Sequence, residues 1–335
     1  MPASKQPLIV EVTRGAVVES YHQVNAVVVN EIGNIVNFWG NPLFLTYPRS
    51  AIKMLQALPL IESGAAERFG LDEKHIALAC SSHRGQKEHI QALKEWSTQV
   101  PFEEAQLVCA PHLPFDEASA HDLIRKKIKA SPFCNNCAGK HAGVITTCIH
   151  LGENPLGYEK YEHNAQKRIR KTLTETMRID HAKVPYASDG CGILTYAVPL
   201  QAMAIGMSVF VNSREKAERK AAAQKILHSI KFNPFYLSGS DNFATVVIEK
   251  TQGRSIVKGG AEGVFCGVIP ERKVAFAVKA SDGASRAAQV VTAAILLQYG
   301  GLTPEEFKAL GTHTQPKITN WKGEEVGQIR VAKGD

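Results

Sequence analysis

What the chain lacks narrows its class before any motif is read. No apolar run approaches the roughly 20 residues that a membrane-spanning helix needs, so no membrane partner is expected. The opening "MPASKQPLIVEV" has no apolar core followed by a small-residue cleavage site, so a secretory leader is not expected and the cytoplasm is the expected location. No internal repeat, low-complexity tract or long linker breaks up the 335 residues, which therefore read as a single catalytic unit. A paired cysteine framework is missing too. The seven cysteines are odd in number and irregular in spacing, which favours core thiols, metal ligands or reactive groups over disulfides. Nor is there a concentrated basic surface tract. The net charge is +7, but the basic residues are scattered apart from "RKKIK" (125–129) and "KRIRK" (167–171), both in amphipathic helical stretches. Solvated helix faces account for these runs, no nucleic-acid partner is expected, and a small acidic substrate suits the sign.

What is present is strand at both ends and helix between them. "LIVEV" (8–12), "AVVVN" (26–30) and "NIVNF" (34–38) are β-branched runs, the last two joined by the glycine turn "EIGN". Helical periodicity follows over residues 49–58, 89–98, 117–130, 141–150, 164–177 and 214–230. "SIVKG" (255–259), "GVFCGVI" (263–269) and "KVAFAVK" (273–279) then read as a meander turning at "PER". A small-residue helix over 283–300 and a last strand "GQIRV" (327–331) complete the plan. The expected fold is α+β, with an antiparallel sheet built from both termini and a helical region inserted between. Residues 1–48 and 250–335 form the sheet lobe; residues 49–249 form a mainly helical lobe.

The first chemical signal is "YPRSAIK" (47–53). A helix beginning near Ser50 would bring Lys53 onto the same face one turn later. A serine needs a base to become a nucleophile, and a lysine serves once its charge is disfavoured. The S-x-x-K pattern occurs three times in the chain. Ser213 of "SREK" reads as a helix N-cap, and "SIVK" lies in a strand, where residues three apart point to opposite faces. Only "SAIK" has apolar flanks that would bury it. Its companions are "ALACSSH" (77–83), a strand-like run delivering Ser81, Ser82 and His83 to the interior, and "VKGGAEG" (257–263), with Lys258 before two glycines. This ordered set resembles that of serine β-lactamases and penicillin-binding enzymes, except that Ser82-His83-Arg84 stands in place of S-D-N.

"SPFCNNCAGKHAG" (131–143) raises a metal question. By residue type, Cys134, Cys137, His141 and Cys191 could make a four-ligand zinc site, and all could equally be small buried groups. A redox C-x-x-C needs a βαβ context that is missing here.

Seven blocks, "ESYHQ", "YPRSAIKMLQALPL", "ALACSSH", "CNNCAGKHAG", "SDGCG", "KGGAEG" and "NWKGEEVGQIR", occur in an order that resembles the rhizobial-type L-asparaginases of the asparaginase II family. The resemblance runs over almost the whole chain. It implies a serine β-lactamase, penicillin-binding-protein and glutaminase-like fold, a homodimer, and hydrolysis of L-asparagine to aspartate and ammonia. It further implies two serine–lysine tandems, Ser50 with Lys53 and Ser82 with Lys258, with Ser50 assigned as nucleophile and Lys53 as its base. Arg49 and Asp189 would hold the α-carboxylate and α-amino groups of the substrate. Zinc would be held by Cys137, Lys140 and Cys191, leaving His141 facing the substrate or supporting the ligands, and Cys134 as packing. A related serine amidohydrolase such as a glutaminase is the alternative, because one methylene separates the two substrates.

Overall fold

The computed structural model describes residue 1, residues 3–212 and residues 216–332. The chain divides into two compact units: Met1–Ala51 with Ala197–Asn212 and Val246–Asp335, and Ile52–Tyr196 with Ser213–Thr245.

The first unit grows from the β-branched runs. One eight-stranded sheet has the order Lys317–Thr319, Glu325–Val331, Leu8–Arg14, Val17–Val29, Val274–Ala280, Val264–Ile269, Ile256–Gly260, and Ile35–Trp39 also pairs with Val17–Val29. All of these pairings are antiparallel. Val10 faces Val331 on one side and His22 on the other, so the two ends of the sequence meet inside one sheet. The architecture is α+β, as the distribution of strands along the sequence predicts. Ala26, Val27, Val28 and Val29 are all fully buried, which requires cover on both faces of that part of the sheet. The helices Leu200–Asn212 and Ser285–Gln298 supply it. Leu200–Asn212 falls inside the stretch assigned from sequence to the helical lobe, yet its apolar surface packs on the strands.

The second unit is mostly helical, arranged around Ala138–His150, in which every residue from Ala138 to Cys148 is buried. Helices Glu73–Ala79, Lys87–Gln99 and Asn164–Met177 pack against it. Three local expectations change here. "ALACSSH" is not a strand: Asp72 caps the helix Glu73–Ala79, its side chain accepting from His75 N at 3.2 Å. Burial on all sides removes the polar face that would have revealed a helical period. The helix expected over 49–58 is broken into a 3₁₀ turn, Arg49–Ile52, and two short helices, Lys53–Gln56 and Leu58–Glu62, the last with Pro59 in its first turn. The helix expected to reach residue 130 stops at Arg125, just before Lys127 adopts a left-handed φ of 53°. Ser213, read as an N-cap, lies outside the described residues; the helix after it spans Ala217–Phe232. Among the described residues no helix is long and apolar enough to cross a membrane.

Candidate active site

Lys53, wholly buried, opens the helix Lys53–Gln56. A buried ammonium persists only where acceptors take its protons. Three do so: the carbonyl of Ser81, Ser82 Oγ at 3.2 Å and Cys137 Sγ at 3.1 Å. The Ser81–Ser82 turn follows the helix Glu73–Ala79 and is pinned from two sides. Ser82 N donates to Leu237 O at 2.9 Å, and His83 N donates to Asn136 O at 3.2 Å. His83 Nδ1 accepts from Gly85 N at 3.1 Å. Burial pushes the His83 imidazole well below its usual pKa, so it stays neutral. Its ring stacks on His89, which in turn stacks on Phe235.

Cys137 immediately precedes the helix Ala138–His150, and Lys140 lies one turn further on. The Lys140 Nζ is 2.9 Å from Cys191 Sγ. The hydrogen bond from the Cys191 thiol, followed by the charges of Lys53 and Lys140, holds Cys137 well below the usual thiol range against the opposing effect of burial. Donating that bond, together with burial, raises Cys191. Burial works against the charge on Lys140, but Cys191, Cys137 and Asp189 outweigh it and raise its pKa. The result is a buried thiolate between two ammonium groups.

Asp189 and Cys191 share the turn of a hairpin, Tyr186–Ser188 with Leu194–Tyr196. Asp189 N donates to Ile193 O at 2.8 Å, and Gly192 N returns to Asp189 O at 2.8 Å. Gly192 takes a φ of 89°, which a glycine adopts without strain. His141 is fully buried, with Nδ1 at 2.5 Å from Tyr158 Oη, and that oxygen also accepts from Val108 N at 2.9 Å. Burial keeps His141 neutral as well.

Ser50, Arg49 and Lys258 belong to the first unit, although Ser50 is only three residues from Lys53. Arg49 carries a left-handed φ of 50° immediately before Ser50. Lys258 sits in the strand Ile256–Gly260, 1% exposed, its Nζ donating to Gly259 O at 2.8 Å. Gly260 lets that strand run against the serine turn: a Cβ there would stand 3.0 Å from both Ser50 N and Ala51 N. Thus one unit gathers Lys53, Ser82, Cys137, Lys140 and Cys191, and the other sets the Ser50 turn beside the strand of Lys258. The tetrad of Cys134, Cys137, His141 and Cys191 is not assembled; among the described residues no group of three or more His, Cys, Asp or Glu side chains is spaced for a metal. All seven cysteines are free and buried. Sequence reasoning missed the Ser81 carbonyl, the Lys53–Cys137 contact and Tyr158 beneath His141. A backbone oxygen and a cross-helix contact leave no mark in a motif.

The L-asparaginase II family profile matches residues 10–331. The chain belongs to the L-asparaginase II family. It is an amidohydrolase, an L-asparaginase with a small-molecule amide substrate. No curated protein matches the chain significantly. Among solved structures, this L-asparaginase is similar to a β-lactamase from Mycobacterium bovis, at 13% identity over 82% of this chain and 94% of that one, with a TM-score of 0.43. It is also similar to an octameric penicillin-binding protein homologue from Pyrococcus abyssi, at 14% identity over 90% of this chain and 79% of that one, with a TM-score of 0.43. For an L-asparaginase the chemical demands are a nucleophile for the side-chain amide carbon, a group that moves its proton to the departing ammonia, and partners for the α-amino and α-carboxylate groups.

Proposed function

We propose that this L-asparaginase is of the rhizobial type and works through serine–lysine chemistry. Ser50 attacks the side-chain amide carbon of L-asparagine while Lys53 takes the hydroxyl proton. The C–N bond then breaks, the lysine returns the proton to the leaving nitrogen as ammonia, and an aspartyl ester remains on the serine. Water, deprotonated in the same way, hydrolyses the ester to aspartate and restores the serine. Ser82 and Lys258 relay protons and steady the developing oxyanion. Arg49 and Asp189 hold the α-carboxylate and α-amino groups, and His141 supports the substrate or the ligand wall.

The observation that carries this reading is the buried Lys53 amine within 3.2 Å of a serine hydroxyl, Ser82 Oγ. The same contact favours a second reading, in which Ser82 is the nucleophile and Lys53 its base. Single-turnover trapping with an acylating substrate analogue separates them: mass spectrometry is expected to find the adduct on Ser50, and an adduct on Ser82 alone moves the nucleophile there. Ammonia release from L-asparagine, L-glutamine and a β-lactam, compared side by side, tests the substrate; no release from L-asparagine by the zinc-loaded protein overturns the reading.

The donor set suits zinc. The sulfurs of Cys137 and Cys191 and the amine of Lys140 come from residues 5%, 5% and 4% exposed, and soft sulfur with nitrogen is zinc-binding chemistry. Binding would displace protons from Cys191 and Lys140. When bound, the metal supplies a fixed positive charge that orients the substrate. Chelation is then expected to raise KM more than it lowers kcat; the reverse pattern counts against a positioning role. A homodimer in the cytoplasm completes the proposal, and sedimentation at micromolar concentration checks its first part.

A further inference from the structure

The hairpin that presents Asp189 is held unequally. Its second strand, Leu194–Tyr196, is buried throughout, whereas all three residues of Tyr186–Ser188, the strand leading directly into Asp189, are exposed. An exposed three-residue strand has little burial to hold it. Tyr186 supplies the hold. Its ring stacks on Tyr161, with centroids 4.7 Å apart and planes at 24°. The guanidinium of Arg170, on the helix Asn164–Met177, lies 3.9 Å from the centroid of the Tyr161 ring, and Nη1 donates to Tyr161 O at 3.2 Å. Tyr161 is therefore fixed by its backbone and by a cation over its ring. Across the hairpin Tyr186 pairs with Tyr196, which is 2% exposed and has its ring centroid 6.2 Å away.

The turn itself does not set the direction of the Asp189 carboxylate. Asp189 Oδ1 accepts from Gly190 N at 2.7 Å, which orients the side chain relative to its own turn. The turn as a whole can still tilt about the exposed strand.

We propose that Tyr186, seated on Tyr161 and Arg170, is a positioning residue that fixes Asp189 for the α-amino group of the substrate and so contributes to selection of α-amino amides. The proposal rests on the reading of Asp189 as the α-amino partner. Tyr186 touches no substrate atom; it acts by limiting the orientations of the turn three residues away.

The test compares L-asparagine with succinamate, which has the same amide and carboxylate but no α-amino group. KM for L-asparagine and the inhibition constant of succinamate competing with it are measured for wild type, Tyr186→Ala, Tyr186→Phe and Asp189→Asn. Tyr186→Ala is expected to raise KM for L-asparagine about 3- to 10-fold, the scale of one lost aromatic pair, and to leave the succinamate constant unchanged. Tyr186→Phe, which keeps the stack, is expected to match wild type. A structural defect would shift both ligands together. Equal shifts for both, or no shift for either, in Tyr186→Ala overturn the proposal. If Asp189→Asn discriminates between the ligands and Tyr186→Ala does not, only this inference fails. If Asp189→Asn also treats both alike, the Asp189 reading fails with it.

Discussion

Lowering the pH should unfold this protein through histidines that are buried without charge, and His89 allows the size of the effect to be worked out. The residue is fully buried between His83 and Phe235, and Nε2 donates to Phe235 O at 3.0 Å. Burial lowers its pKa from 6.5 to about 4, against the smaller opposing pull of Glu88 and Asp116. The unfolded chain therefore binds a proton between pH 6.5 and about 4 that the folded chain refuses. Stability is intact above pH 6.5, falls through that window and levels off below it. At about 1.4 kcal/mol per pH unit, His89 alone accounts for a loss of roughly 3 kcal/mol. Urea denaturation followed by tryptophan fluorescence, at steps from pH 7 to pH 4, measures the slope. His89→Phe keeps both stacking contacts but cannot titrate. It forfeits the bond to Phe235, so it should be about 1 kcal/mol weaker than wild type at pH 7. Across the window it should lose roughly 3 kcal/mol less, so the two stability curves cross below pH 6. Parallel curves would refute the argument, because the remaining buried histidines, His83 and His141 among them, are common to both proteins.

Replacing Lys53 by Met leaves Ser82 Oγ and Cys137 Sγ without their shared donor. Ammonia release should fall by about 10²- to 10⁴-fold while far-ultraviolet circular dichroism is retained. Lys140→Met should lower zinc per chain, measured by atomic emission, and raise KM more than it lowers kcat; unchanged metal content would remove Lys140 from the ligand set. Gly139→Ala tests packing alone. An added Cβ would lie 2.1 Å from Leu78 O, so the helix Ala138–His150 must shift against Glu73–Ala79 at a cost of about 2 kcal/mol or more, read as a fall in Tm.

The outer frame was the most legible part of the sequence, because strands write their identity locally. β-branched runs at 8–12, 264–269 and 274–279 and the "PER" turn all stand where their composition predicts. Legibility faded where burial was complete. Glu73–Ala79 and Leu200–Asn212 have too few polar positions to display a helical period, so the first read as a strand and the second was not singled out. The serine–lysine spacing at 50–53 placed both residues correctly along the chain, but it could not show that Lys53 reaches Ser82 and Cys137, 29 and 84 positions away. Cys137, Lys140 and Cys191 came from resemblance, since a lysine among thiols is not a pattern that residue types alone would select.

The left-handed turn at Arg49 has a consequence for anyone who evolves this protein in the laboratory. A non-glycine residue with a φ of 50° carries strain on the order of 1 kcal/mol, and glycine or asparagine would relieve it. A library screened for heat resistance alone should therefore drift toward Arg49→Gly, and the survivors should be sturdier and poorer at retaining the substrate carboxylate. Selection for durability and selection for turnover would pull this one position in opposite directions.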